Sequence, residues 1–187
     1  MIRAYIVLVH AEIENCVEDL VSAAAQKMLA QWQSAGVAGA PLQSLLAYAD
    51  PKELSDAWHR QTSGFRYQNV VQKFAKVVEG NMGIRAQNVL RLLLAIGVPR
   101  ADIDGLWLTE VDEFGKERGL IAHRSVAAAT HLPDAGRARN RVAIILNGLR
   151  DIDDAVQRVV RRRCNPRTLA AVDDALKGRH EVLRGTL

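Results

Sequence analysis

Residues 2–33 read IRAYIVLVHAEIENCVEDLVSAAAQKMLAQWQ. Ile2, Tyr5, Ile6, Val9, Ile13, Cys16, Val17, Leu20 and Val21 recur at three- and four-residue steps, and Glu12, Glu14, Glu18 and Asp19 take the other side. A repeat near 3.6 predicts one long amphipathic helix with a single buried stripe. Such a stripe is covered by other elements, and everything downstream supplies helices rather than strands. Gly36 and Gly39-Ala40-Pro41 read as the break that ends it.

Further along, Asp50 as N-cap, Pro51 at the first helical position and Glu53 three residues after the cap predict a second helix over 50–60. Thr62-Ser63-Gly64 reads as a loop. A third helix is expected from Tyr67 to Glu79, with Val70, Val71, Phe74, Val77 and Val78 inward, ended by Gly80-Asn81-Met82-Gly83. A short apolar helix from Ala86 to Ile96 stops at Gly97 and Pro99. A fifth starts near Asp102 and carries Ile103, Leu106, Trp107, Val111, Phe114, Leu120 and Ile121 towards His123. Residues 124–138 read as a connection. A sixth helix, Arg139 to Arg163, buries Val142, Ile145, Leu146, Leu149, Ile152, Val156 and Val159 before Pro166 closes it. Thr168 to Leu176 reads as a weak last helix. No stretch alternates as a strand would, and no repeat is visible. The expectation is an all-α bundle of five to six helices over residues 1–164, with a basic C-terminal tail over 165–187.

Composition agrees. Of 187 residues, 49% are hydrophobic and 25% charged, a globular rather than a disordered balance. Ile6-Val7-Leu8-Val9 is too short to cross a bilayer and lacks a signal-peptide cleavage site, so no membrane association and a cytoplasmic location are expected. Cys16 and Cys164 have no metal-ligand neighbours at a recognised spacing, so free thiols and no metal are expected. Charge is uneven: residues 1–123 hold 12 basic against 14 acidic residues, whereas 124–187 hold 13 against 7. A basic C-terminal third could meet a polyanion, or could be a solvated Arg-rich helix face.

The chemistry-bearing stretch is Glu117-Arg118-Gly119-Leu120-Ile121-Ala122-His123-Arg124-Ser125. Leu120 and Ile121 are expected to anchor it in the core while Arg118 and His123 project elsewhere. Five residues turn a helix by about 140°, so the helix must loosen near His123, which Gly119 could permit, or a second chain must complete the pair. As a bare pattern, Arg-x4-His arises often by chance, and a histidine at a helix end is commonly a cap.

With its context the chain resembles the HEPN superfamily, in the prokaryotic branch of RNase-like HEPN domains. The first helix carries Ala11-Glu12-Ile13-Glu14 and Val17-Glu18-Asp19-Leu20. The middle holds Phe74-x-x-Val77-x5-Gly83 and Leu90-x-x-Leu93-Leu94-x-x-Gly97. The signature is Arg118-Gly119-Leu120-Ile121-Ala122-His123. The likeness covers roughly residues 2–126, and only Arg-x4-His is diagnostic. One departure stands out: the family commonly has Asn after the arginine, a side chain implied to help orient the scissile phosphate, and this chain has Gly119.

The resemblance implies a metal-independent endoribonuclease with no cofactor, working as a homodimer whose two signature segments face one cleft. RNA carries its own nucleophile, the 2′-hydroxyl. His123 would act as acid or base near neutral pH, and Arg118 would grip the phosphate oxygens as charge develops. Arg124 and Ser125 are candidate secondary phosphate contacts, with a solvated surface as the plainer reading for Arg124. A toxin or defence role, restrained by an antitoxin or other regulatory protein, belongs to this reading. Two others stand beside it: a non-catalytic HEPN-like dimerisation or partner-binding module, with Gly119 marking lost activity, and a structural helical protein unrelated to RNA.

The remaining candidates read as structural. His10 and Glu14, one turn apart, lack a third ligand and read as a surface or interface pair. Glu12 or Glu14 could instead orient Arg118. His59, His131 and His180 read as surface residues, Arg161-Arg162-Arg163 as a favourable helix end or a nucleic-acid contact, and Trp32, Trp58 and Trp107 as core or interface.

Overall fold

The computed structural model describes residues 2–36, 38–48, 63–123 and 134–161. Among them the chain is all-helical: α1 (Ile2–Ala35), α2 (Ala40–Tyr48), α3 (Ser63–Glu79), α4 (Ala86–Ala95), α5 (Gly105–His123) and α6 (Ala135–Arg161), with a single 3-10 turn at Arg100–Asp102. The long first helix is central and touches all five others. Its buried stripe runs Ile6, His10, Ile13, Val17, Val21, Ala24, Ala25, Met28 and Leu29. Phe114, Met28, Leu42, Leu92, Leu93 and Ile152 are among the fully buried side chains around it. Each is worth about 1.5–3 kcal/mol relative to exposure.

Local chemistry explains the turns. Gly36 (φ 67°) donates its N–H to the Trp32 carbonyl and ends α1. Gly97 (φ 85°) ends α4, with Gly97 N–H on the Leu94 carbonyl and Val98 N–H on that of Leu93, the paired pattern of a Schellman close. Asp104 Oδ1 accepts from the Leu106 N–H at 2.7 Å and so caps α5. Trp107 donates Nε1–H to the Ile145 carbonyl at 3.0 Å, joining α5 to α6.

Several expectations need correction. Gly39-Ala40-Pro41 does not simply break the chain: it opens α2, where Pro41 in the first turn lacks only an N–H that would have had no partner. Ser63 and Gly64 belong to α3, and α6 begins four residues before Arg139, where Asp134 Oδ1 accepts from the Arg137 N–H at 2.8 Å and caps the helix. Cys16, Val77, Leu106 and Leu146 are exposed, and Leu120 is 54% exposed rather than an anchor. It lies about 200° around α5 from position 118, away from the stripe that faces the core. The helix expected over 50–60, Cys164, the weak helix Thr168 to Leu176 and the 164/165 boundary lie outside the described residues. Among the described residues no helix is long and apolar enough to cross a membrane.

Candidate functional site

On α5 the core-facing stripe is Trp107, Val111, Phe114 and then Ile121. Arg118 continues that stripe, four residues after Phe114 and three before Ile121, so it does not project away from the core as the sequence suggested. It is half-buried. Its Nε is shut off from solvent and has no hydrogen-bond partner among the described residues. A buried guanidinium N–H left unmade costs about 1–3 kcal/mol or more, so the placement is not one that packing alone favours.

The facing stripe of α1 carries a matching interruption. His10 sits between Ile6 and Ile13 and is only 3% exposed, the one buried polar residue among those described. It is therefore neither surface nor interface. Its ring stacks on Phe114 with centroids 6.3 Å apart and planes at 30°. Its Nδ1 lies 3.6 Å from Glu14 Oε2. Burial lowers the imidazole pKa, Glu14 opposes that, and the Arg118 charge lowers it further. The ring is thus held neutral near pH 7, with an anion on one side and a cation on the other.

Glu14 also accepts from the Gly83 N–H, and Glu18 Oε1 accepts from Asn81 Nδ2 at 2.8 Å. Asn81 Nδ2 and Asn88 Nδ2 both reach the Gly83 carbonyl, at 3.3 and 3.1 Å. The Asn81–Gly83 turn is thereby latched to α1. Gly83 (φ 86°) places its Cα beside His10, where an added Cβ would come within 3.5 Å of the ring. Glu12 is exposed and takes no part.

From outside, α5 is pinned by ion pairs. Arg141 on α6 holds Glu110 at 2.9 Å and Glu117 at 3.0 Å. Asp112 accepts from Arg85 Nε at 2.8 Å and from the Ala86 N–H at 3.2 Å, capping α4 from a neighbouring helix. The Arg85 and Lys116 hydrogen bonds, joined by that from Ala86, hold its carboxyl well below the ordinary range, at about 2.

Helix α5 runs unbroken through Gly119 to His123, so the loosening expected there does not occur and positions 118 and 123 lie about 140° apart on one helix. Among the described residues nothing lies within 4 Å of a Cβ built at Gly119. Arg124 and Ser125 lie outside the described residues, as do His59, His131, His180, Trp58, Arg162 and Arg163. Trp107 is buried and Trp32 packs on Tyr67 at 5.3 Å, both structural as expected. Sequence reasoning weighs His10 only as a surface or interface pair with Glu14, although its spacing from Ile6 and Ile13 already places it on the buried stripe.

The family model described as RiboL-PSP-HEPN matches residues 1–158. No curated protein and no solved structure matches the chain.

Proposed function

The chain belongs to the RiboL-PSP-HEPN family, and on that footing we propose that it is an endoribonuclease using Arg118 and His123 without a metal. The observation that carries this reading is Arg118 itself: a half-buried cation on a core-facing stripe, its Nε desolvated, in the helix that ends at His123. An arginine kept solely for solubility would point outward, where it loses no hydration.

In the proposed reaction the 2′-oxygen attacks the adjacent phosphorus as an imidazole removes its proton. Charge builds on the phosphorane oxygens, where a guanidinium can donate two parallel hydrogen bonds. The bond to the 5′-oxygen then breaks as an imidazolium supplies a proton. The products are a 2′,3′-cyclic phosphate and a 5′-hydroxyl. His123 serves as the acid or base, and Arg118 as the charge stabiliser. An unbroken helix separates the two by about 140°, which favours a cleft shared by two copies, each giving one arginine and one histidine. Arg124 and Ser125 are assigned here as secondary phosphate contacts. A toxin or defence role, with a regulatory protein as restraint, fits an enzyme of this kind.

A chimeric oligonucleotide tests the chemistry. Replacing the ribose at a mapped cleavage site with 2′-deoxyribose should abolish cutting there while leaving neighbouring sites open. Cleavage at the deoxy position would contradict the 2′-hydroxyl mechanism. Affinity for RNA should also fall steeply with added salt, since phosphate contacts release counterions.

The non-catalytic module is kept as a second reading because of one observation. No described residue would crowd a side chain at Gly119, so packing among the described residues does not explain the absence of the family's polar side chain.

A further inference from the structure

The buried face of α1 carries one polar residue, His10, whose ring rests on Phe114, one helical turn before the cation on the facing stripe of α5. Burying an imidazole among Ile6, Ile13 and Phe114 costs free energy that a leucine or phenylalanine there would not. Leucine or phenylalanine would also satisfy the helix periodicity. The polar character of His10 therefore calls for a reason other than core packing.

We propose that His10 is a positioning residue for Arg118, fixing the guanidinium of the ribonuclease site proposed above by clamping α1, Glu14 and the Phe114 turn of α5 into one arrangement. It does not touch RNA. Three observations define the clamp. The ring rests on Phe114, one helical turn before Arg118 on the same face of α5. Its Nδ1 edge faces Glu14, whose other oxygen holds the Gly83 N–H. Its Cε1–Nε2 edge faces Gly83, whose φ of 86° favours glycine and where an added Cβ would meet the ring at 3.5 Å, an ordinary contact.

Each contact removes one freedom from the imidazole, and the ring in turn holds Phe114, one helical turn before Arg118 on the same face of α5. Glu14 is itself held by the Gly83 N–H, which keeps it beside the imidazole. A guanidinium so placed presents its Nη groups in one orientation rather than several. That matters because displacement of a reacting group by about 1 Å can cost about 100-fold in rate.

Two substitutions separate positioning from packing. His10→Phe keeps an aromatic ring on Phe114 and removes both ring nitrogens. His10→Asn keeps a polar group towards Glu14 and removes the ring. The first readout is the Nε–Hε correlation of Arg118 in protein labelled with 15N-arginine, assigned by its loss in Arg118→Lys. The second is kcat and KM on RNA.

In His10→Phe the melting temperature should stay within about 3 °C of wild type. The Arg118 correlation should shift or broaden, and kcat should fall about tenfold or more with KM changed less than about threefold. His10→Asn should melt earlier yet keep more of kcat than His10→Phe does. Glu12→Gln, exposed on the same helix, should change neither readout. An Arg118 correlation unmoved in both His10 variants would overturn the proposal and leave His10 as packing alone. If His10→Phe fails to fold, the same two readouts on His10→Asn decide. A wild type that cleaves nothing, while its Arg118 correlation still responds to His10→Phe, would sink the nuclease reading and leave the clamp standing.

Discussion

Nη1 of Arg141 on α6 donates to Oε2 of Glu117 at 3.0 Å, so the residue just before Arg118 is tied to a different helix. The same guanidinium donates Nε–H to Glu110 at 2.9 Å, two turns earlier on α5. Arg141 is 13% exposed, so both ion pairs are shielded from water more than ordinary surface pairs. Its removal leaves two carboxylates together without their cation. Arg141→Ala should lose about 2 kcal/mol in urea unfolding, above the range for exposed pairs. A loss under about 0.5 kcal/mol would mean the pairs are screened.

Gly148 on α6 has no room for a side chain. A Cβ there would lie 2.0 Å from Trp107 Cδ1 and 2.5 Å from its Nε1. The indole is held by its bond to the Ile145 carbonyl, so it cannot step aside without losing that partner. Gly148→Ala should cost about 2–3 kcal/mol despite alanine's better helix propensity, with a change in tryptophan fluorescence. A stabilised variant would contradict the α5–α6 packing described.

Asp112 should make stability fall in acid. Its folded pKa is depressed to about 2 from an ordinary 3.8, so its contribution is present above the ordinary value and is lost as pH drops towards 2. Asp112→Asn should be less stable than wild type near pH 7 by about 1 kcal/mol, as suits a solvent-accessible pair. The difference should shrink between pH 4 and 2. A gap that stays constant across that window would contradict a contribution from the ionised Asp112 carboxylate.

Gly119→Asn should be tolerated, since a Cβ there meets none of the described residues within 4 Å. It should gain a few tenths of a kcal/mol in helix stability. If the polar residue usual after the arginine helps orient the phosphate, this variant should cleave RNA faster than wild type. Equal or lower rates at unchanged folding would remove Gly119 as an explanation for any weak activity.

The class of fold was legible because periodicity is a property of the chain. Ile6, Ile13, Val17 and Val21 on α1, and Val142, Ile145, Leu149 and Ile152 on α6, announced their faces by spacing alone. What periodicity could not fix was which apolar residues fall at the edge of a stripe: Leu106, Leu120 and Leu146 have the right character, and their angles turn them to solvent. Helix α2 was missed because Gly39 and Pro41 signal both an end and a beginning. At the site, Arg118 was singled out by its motif. His10 was visible as a position yet discounted as a residue, because a histidine one turn from a glutamate reads as surface until the facing helix is known. Its partner Phe114 is 104 residues away in sequence, and only the packing of α1 on α5 brings them together.

The most direct measurement is cleavage of a mixture of total RNA and tRNA, in EDTA, by wild type and His123→Ala side by side, with circular dichroism confirming that both are helical. The expected result is cleavage by wild type, with 2′,3′-cyclic phosphate ends, and none by His123→Ala. Equal cleavage by the two proteins would contradict the assignment of His123. No cleavage by a folded, inhibitor-free wild type would contradict the ribonuclease itself and favour the partner-binding module.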